Sequence, residues 1–490
     1  MDNSTPAPAN RRDFLKGAAT AVSGLAIGSS LPRTASAARA RSTGGGTMID
    51  FAAPRLDTVR VGLIGTGARG MTHLRLLLGM EGVKVRAVCD TDPVSLANAR
   101  DAVAKSGQAE PGYYTGEDYA YRRLLERDDI DAVVISTPWR WHEPMAVQAM
   151  ESGKHALVEV PLATTLDGMW QMVEVSEKTR MNCMMLENVC YGRDEMMVFN
   201  MVRRGLFGDL THGEGAYIHD LRAQMKQIER GTGSWRTDYH TTMQGNIYPT
   251  HGLGPIAQYM DINRGDRFDY MTSLSSPALG RAAYARREFP SGHERNRLRY
   301  LKGDMNSTLL KTVRGRSILV QYDTTTARPY SRLNLIQGTN GAFGGFPNRI
   351  ALETPPQDIR EEYDAAYAAA RAAWEAGGGE GSEPRAASYH GWDRDMRKWY
   401  EHFEHPLWRD MMTAATTAGG HGGMDFMMHW RIVHCLRNGV PLDQNVYDGA
   451  SWSSLFPLSH ESVVNRSKPV DIPDFTRGAW RTAEQLNIAL

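Results

Sequence analysis

Cysteine is scarce: Cys89, Cys183, Cys190 and Cys435 are the only four in a chain of 490 residues. Their spacing gives neither a paired metal-ligand motif nor a disulfide framework, so no metal site is expected. Three of them sit in or beside apolar runs, where a thiol packs as a small hydrophobe. A surplus of either charge is also lacking. Basic and acidic residues number 56 each, for a formal net charge of zero. A nucleic-acid binder usually needs a basic surplus to neutralise phosphates, so no nucleic-acid partner is expected. Long apolar runs are missing as well. The run from Gly17 to Leu31 is rich in Gly, Ala and Ser. It is shorter than the roughly 20 residues a membrane-spanning helix needs, so no stable membrane span is expected.

What the N-terminus does hold is a leader pattern. Arg11-Arg12-Asp13-Phe14-Leu15-Lys16 precedes that weakly apolar run, and Ala35-Ser36-Ala37 follows it as a small-residue cleavage site. Residues 1–37 therefore read as a twin-arginine (Tat) signal, with the Tat export machinery as partner. The mature chain is expected to start near Ala38 and to be periplasmic or secreted. Residues 38–57, rich in Ala, Arg, Ser, Thr and Gly, read as a flexible lead-in.

From Thr58 the texture is βαβ. Val59 to Ile64, Val83 to Val88, Ala132 to Ile135, Ala156 to Val158 and Cys183 to Leu186 read as strands separated by helical stretches. Leu74, Leu77 and Leu78 fall on one helical face after the first strand. Such alternation predicts a doubly wound parallel sheet over residues 58–191. Thr211 to Ile218, Tyr270 to Ser275, Ser307 to Thr312 and Ser317 to Tyr322 are longer alternating strands. They predict a second, α+β domain over 192–455 with an open, largely antiparallel sheet. An Ala- and Glu-rich helix and a Gly-rich loop form an insertion near 355–392. Residues 395–437 read as helical and 456–490 as a loop-rich tail. The fold class is thus α/β, an N-terminal Rossmann domain joined to a C-terminal α+β domain. The sequence leaves a homo-oligomer open.

Gly65-Thr66-Gly67-Ala68-Arg69-Gly70 matches the dinucleotide fingerprint, and it follows a strand and opens a helix. Gly65 allows the tight turn, Gly67 lets the backbone approach a pyrophosphate, and Gly70 lets helix pack on strand. The pyrophosphate then meets the free N–H groups and positive dipole end of the helix. Asp90 lies at the end of the second strand, where a carboxylate accepts from ribose hydroxyls and repels a 2′-phosphate. The expected cofactor is NAD. Loops at the carboxyl ends of parallel strands are where ligands bind. Here these are Ser136-Thr137-Pro138-Trp139-Arg140-Trp141-His142 and Glu159-Val160-Pro161.

Together these elements resemble the Gfo/Idh/MocA oxidoreductase superfamily. In its dehydrogenases the second turn carries a lysine that helps move the substrate hydroxyl proton. Val160 stands there, and valine exchanges no proton, so a simple inositol- or glucose-type dehydrogenase is disfavoured. Further segments bring the likeness closer: Glu187-Asn188-Val189-Cys190-Tyr191, Gly233-Ser234-Trp235-Arg236-Thr237, Gly245 to Pro255 with Tyr248-Pro249-Thr250-His251, and Asp261 to Arg267. These resemble glycoside hydrolase family 109, the NAD-dependent α-N-acetylgalactosaminidases, from about residue 58 to about 450. The resemblance implies NAD contacts at Arg69, Gly70, Asp90, Trp139 to His142, Glu159, Val160, Asn188 and Tyr248. It implies substrate contacts at Tyr217, Arg236, Tyr248 to His251 and Tyr330. It also implies cleavage of a terminal α-GalNAc through transient oxidation at C3, elimination, water addition and re-reduction, an exception to two-carboxylate glycosidases.

Such chemistry calls for proton acceptors more than for a carboxylate pair. His251 is the foremost candidate, because imidazole titrates nearest neutral pH. Tyr248 either joins its proton network or holds the nicotinamide. Tyr330 is assigned to substrate or proton transfer. Glu159 either holds the nicotinamide or acts on the substrate, and Asn188 offers an amide to cofactor or substrate. Arg236 suits sugar hydroxyls or the N-acetyl carbonyl. Each has a plain alternative as a structural or surface residue. A cofactor restored within every turnover is expected to be tightly bound. The competing expectation is a periplasmic NAD-dependent sugar oxidoreductase of the Gfo/Idh/MocA type; a degenerate binding module is the non-enzyme alternative.

Overall fold

In the computed structural model the described residues are 46–381, 383–384 and 391–488. The leader and the first residues of the expected lead-in lie outside them. Among the described residues no helix is long and apolar enough to cross a membrane.

The first sheet has six parallel strands in the order β3-β2-β1-β4-β5-β6. They are β1 Val59–Ile64, β2 Val83–Cys89, β3 Gly112–Tyr114, β4 Ala132–Ile135, β5 His155–Val158 and β6 Cys183–Met185. Five match the expected strands to within a residue, β6 stopping one short at Met185. β3 was not foreseen, because Gly-Tyr-Tyr is three residues long and only half-buried. Ala132, Val133, Val134 and Ile135 of β4 have no exposed surface. That continuous apolar run is what a parallel strand covered on both faces requires. The strand order reverses between β1 and β4, so their carboxyl ends frame the crevice in which doubly wound folds bind ligands.

The second sheet has eight strands, ordered β13-β12-β11-β7-β10-β9-β8-β14. They are β7 Leu210–Ile218, β8 Phe268–Ser275, β9 Asn306–Thr312, β10 Ser317–Asp323, β11 Leu335–Gly338, β12 Gly341–Gly344, β13 Arg349–Leu352 and β14 Val470–Asp471. Every pairing is antiparallel except β7 with β10, which sets Tyr217 beside Tyr322. The sheet is therefore largely antiparallel, as the alternating pattern indicated. Burial alternates along β9 and β10, with one face on the core and one turned outward. Helix Thr250–Tyr259 packs on the inner face of β7. Gly215 and Gly252 permit that approach, since a Cβ on Gly215 would lie 2.0 Å from the Gly252 carbonyl oxygen.

Three boundaries differ from the sequence reading. The part of the lead-in that is described, 46–57, is docked rather than loose. Met48, Ile49 and Ala53 are buried, the Met48 N–H donates to Tyr447 Oη at 3.0 Å, and the Leu56 N–H donates to the Leu436 carbonyl. Helix Met424–Asn438 packs on β1 and on helix Ala68–Leu78, so the dinucleotide body borrows a helix from far along the chain. The expected tail opens instead with helix Leu455–Val464, whose Leu455, Phe456 and Leu458 are buried, and then supplies β14. The insertion holds helix Arg360–Ala376, and residues 395–437 are helical over most of their length, as the sequence indicated. All four cysteines are free and buried.

Candidate active site

The glycine loop forms at the carboxyl end of β1. Gly65 has φ +88°, a backbone state that side chains disfavour, and its missing Cβ would lie 2.7 Å from the Ser136 carbonyl oxygen. A Cβ on Gly70 would lie 1.9 Å from the Gly65 carbonyl oxygen, so helix Ala68–Leu78 can start here only with glycine. Gly67 differs: a Cβ there meets nothing within 4 Å. The open flank of Gly67 beside the free N–H groups of a helix start is a cradle for a pyrophosphate. Asp90 braces the loop, its Oδ2 accepting from the Thr66 N–H at 2.6 Å and its Oδ1 from the Asp92 N–H at 2.9 Å. Carboxylate oxygens carry two lone-pair directions each, which leaves Asp90 able to accept from ribose hydroxyls.

The nicotinamide half of such a cleft lies over β4, β5 and β6. Glu159, just past β5, is buried and accepts from Arg69 Nε at 2.6 Å and His73 Nε2 at 2.8 Å. Burial alone would raise its carboxyl, but the Arg69 charge and the His73 bond hold it well below the ordinary carboxylate range. Glu159 is therefore a fixed anion. Val160 is buried beside it and joined to Pro161 by a cis bond. Asn188, past β6, gives its Nδ2 to Asp425 Oδ1 at 2.7 Å, while its own Oδ1 is buried without a partner. An orphaned amide oxygen at this place fits the amide hydrogens of a nicotinamide. Together with Gly67 and Asp90, it shows that the residues present suit the dinucleotide.

His142 has both ring nitrogens against backbone carbonyls of the protein. Its ring is buried, Nδ1 lying 2.8 Å from the Pro161 carbonyl oxygen and Nε2 3.0 Å from that of Thr137. It braces the two loops rather than facing a ligand. Trp139, in the same loop, is buried among Trp235, Tyr239, Tyr248 and Phe456 at ring separations of 4.8–5.8 Å. The Arg236 guanidinium lies 4.8 Å over the Trp139 ring and 5.1 Å over the Tyr248 ring. Its Nε is buried without an acceptor. A cation so held keeps its donors free for a ligand oxygen.

The proton-handling side chains meet where helix Thr250–Tyr259 starts. His251 Nδ1 lies 2.7 Å from Glu187 Oε1. Glu187 has no exposed surface, and its Oε1 also accepts from the Val189 N–H at 3.1 Å. A carboxylate can only accept, so it fixes the proton on Nδ1 and leaves Nε2 bare as a base. The Tyr248 ring stands 4.8 Å from His251, and the Tyr217 ring 5.0 Å. Burial pushes both phenols upward, so they stay protonated and donate. Tyr217 Oη is 2.9 Å from His219 Nδ1, and burial together with the nearby His251 lowers the His219 imidazole. Tyr330 is half exposed at the rim, with its ring 5.0 Å from His219 and its Oη accepting from Arg332 at 2.9 Å.

The structure thus gathers Tyr217, Arg236, Tyr248, His251 and Tyr330 on one side of the cleft. Gly65, Gly67, Arg69, Gly70, Asp90, Trp139, Glu159, Val160 and Asn188 line or support the other. Sequence reasoning missed Glu187, His73, His219 and Asp425 as site residues. Glu187 stood in a quoted segment, but its partner lies 64 positions away. Only a carboxylate at the carboxyl end of a parallel strand hinted at it.

Comparison with known proteins agrees with this architecture. Residues 59–186 match the oxidoreductase family with an NAD-binding Rossmann fold, and 191–482 match the glycosyl hydrolase 109 C-terminal domain. A Shewanella pealeana protein described as glycosyl hydrolase family 109 protein is 56% identical over 480 residues, covering 98% of this chain and 99% of its own. A Shewanella oneidensis protein named alpha-N-acetylgalactosaminidase is 55% identical over 480 residues, covering 98% of both chains. Among solved structures, an oxidoreductase domain protein from Kribbella flavida superposes with TM-score 0.61 at 17% identity, over 86% of this chain and 100% of that one. A levoglucosan dehydrogenase in complex with NADH gives 0.58 at 16% identity, over 85% and 100%. Likeness at such identities speaks for the fold alone. The family matches and the close relatives, taken with the cleft, show that this chain belongs to glycosyl hydrolase family 109, a glycoside hydrolase on an NAD-binding oxidoreductase fold.

Proposed function

We propose that the chain releases terminal α-linked N-acetylgalactosamine by oxidation at C3, elimination across C1 and C2, water addition and re-reduction. The observation that carries this reading is the Glu187–His251 pair, 2.7 Å apart, beside a cofactor turn in which Val160 supplies no proton acceptor. A bound nicotinamide dinucleotide supplies hydride removal and return at C3. The residues supply the rest. His251, with Nδ1 pinned, presents Nε2 as a base, and Glu187 stabilises the imidazolium that forms. Tyr217 and His219 make a second proton-handling pair, and the two pairs divide the C3 hydroxyl and C2 protons between them. Tyr248 donates from its protonated phenol. Arg236 offers its free donors to the N-acetyl carbonyl or a sugar hydroxyl, and Tyr330 closes the rim. Glu159 stays ionised and orients the cofactor edge rather than moving a proton.

A cofactor restored in each turnover has no need to leave, so tight binding belongs to this proposal. Export by the Tat route belongs to it as well, on the strength of Arg11-Arg12 and Ala35-Ser36-Ala37. N-terminal sequencing of exported protein tests the route; an intact Met1 overturns cleavage near Ala38. For the activity, purified enzyme without added cofactor is expected to cleave p-nitrophenyl α-N-acetylgalactosaminide. Net NADH formation from free sugars, with no release of nitrophenol, would instead establish the sugar oxidoreductase reading.

A further inference from the structure

Asp425 stands at the start of helix Met424–Asn438, far from the glycine loop in sequence. Its side chain has no exposed surface, yet it meets both sides of the nicotinamide half of the cleft. Oδ2 accepts from Arg69 Nη1 at 2.7 Å and Oδ1 from Arg69 Nη2 at 3.0 Å. Oδ1 also accepts from Asn188 Nδ2 at 2.7 Å. Through Arg69 Nε the pair continues to Glu159. One carboxylate therefore joins the loop after β1 to the loop after β6, with the turn after β5 linked through Arg69. All three lie at the carboxyl edge of the dinucleotide sheet.

The segment leading to Asp425 has an unusual backbone. Gly419, Gly420, His421, Gly422 and Gly423 have φ of 77°, 77°, 47°, 71° and 100°. Five consecutive left-handed residues form without strain only where glycine dominates. Bulk is excluded at one of them for a definite reason: a Cβ on Gly420 would lie 2.8 Å from the Asp425 Cβ. His421, the one residue here with a side chain, is mostly exposed, and its Nδ1 lies 2.7 Å from Asp425 Oδ2 and 3.4 Å from Arg69 Nη1. The turn thus wraps around Asp425 and sets an imidazole beside the arginine of the glycine loop.

We propose that residues 419–425 form a strap that retains the dinucleotide, with Asp425 as its clasp on Arg69 and Asn188. The proposal rests on the reading of a tightly held cofactor. The bidentate ion pair fixes Arg69 across the cleft, and Asn188 is held so that its free Oδ1 stays aimed at the cofactor. Release of the dinucleotide then requires the clasp to part. Breaking a buried, hydrogen-bonded charge pair acts mainly on the dissociation rate.

Asp425→Asn keeps the shape but removes the charge that pins Arg69. Bound NAD, followed by absorbance of the protein fraction through gel filtration, is expected to leave this variant at least about tenfold faster than wild type, the low end for such a pair. His421→Ala, at an exposed position, is expected to speed release to a smaller degree. The rise in Tm on NAD loading should shrink in both variants, since linkage stabilisation falls with affinity. A merely structural tie would lower the Tm of loaded and NAD-stripped protein equally and leave release unchanged, and that result overturns the strap. Should Asp425→Asn fail to fold, wild type decides: hydrogen exchange in peptides spanning 415–428 is expected to slow on NAD loading, and equal exchange overturns the proposal. Wild type that never retains NAD overturns the tight-cofactor reading itself, a result distinct from equally slow release by wild type and Asp425→Asn, which overturns the strap alone.

Discussion

His251 gives one ring nitrogen to Glu187 and keeps the other for the cleft. Removing the ring in His251→Ala is expected to lower kcat by about 10²–10⁴, the usual range for a lost general base. Glu187→Gln keeps the shape but no longer stabilises the imidazolium. Its kcat is expected to fall more than KM changes. A kcat equal to wild type would remove Glu187 from the proton apparatus. Away from the cleft, Lys302 is fully buried, and burial lowers its ammonium from 10.5 to about 7. The folded value lies below the unfolded one, so between them the unfolded chain holds more protons and stability rises with pH. The Tm difference between Lys302→Met and wild type is therefore expected to fall steadily from pH 7 toward pH 10. A difference that stays constant across that window contradicts the assignment. At this scale the glycines and Asp90 were legible as candidates from residue type beside a strand end, and His251 from its imidazole within the Tyr248 to His251 segment. Glu187, His219 and Asp425 were not legible, because their roles exist only once distant segments meet.

The glycine loop separates two reasons for the same residue. A methyl at Gly70 would strike the Gly65 carbonyl, whereas one at Gly67 points into open space. Gly70→Ala is accordingly expected to lower Tm, while Gly67→Ala folds with wild-type Tm in the NAD-stripped protein but loses NAD affinity. Calorimetry of stripped protein and NAD titration check both, and unaltered affinity in Gly67→Ala contradicts the pyrophosphate cradle. Of the strands of the first sheet, β4, β5 and β6 were readable because burial on both faces leaves a nearly continuous apolar run, and β1 and β2 because their apolar residues recur around Arg60, Lys84 and Arg86. Those of the second were readable where alternation spans several residues. β11, β12 and β13 are four residues each, and two contain glycine, so they carry too little pattern. The parallel pairing of β7 with β10, which aligns Tyr217 with Tyr322, was hidden for another reason. Pairing partners are set by the path of the whole chain.

At the scale of the molecule, the two halves interlock. Helix Met424–Asn438 returns to β1 and delivers Asp425 to the glycine loop, and Phe456 of the last long helix packs 5.6 Å from Trp139. The sequence suggested a divided chain with a loose beginning and end, since local composition cannot show which segment returns. The fold alone suits a dehydrogenase. The family matches turn that fold toward hydrolysis, and Val160 and the Glu187–His251 pair support the proposal of a cofactor restored in every cycle. In the proposed mechanism, elimination removes the proton at C2 and water addition returns one from solvent. The most direct test is cleavage of p-nitrophenyl α-N-acetylgalactosaminide in D2O, with the released sugar examined by NMR or mass spectrometry. This account predicts deuterium at C2 of the product and hydrogen retained at C3. A product with only hydrogen at C2 would contradict it.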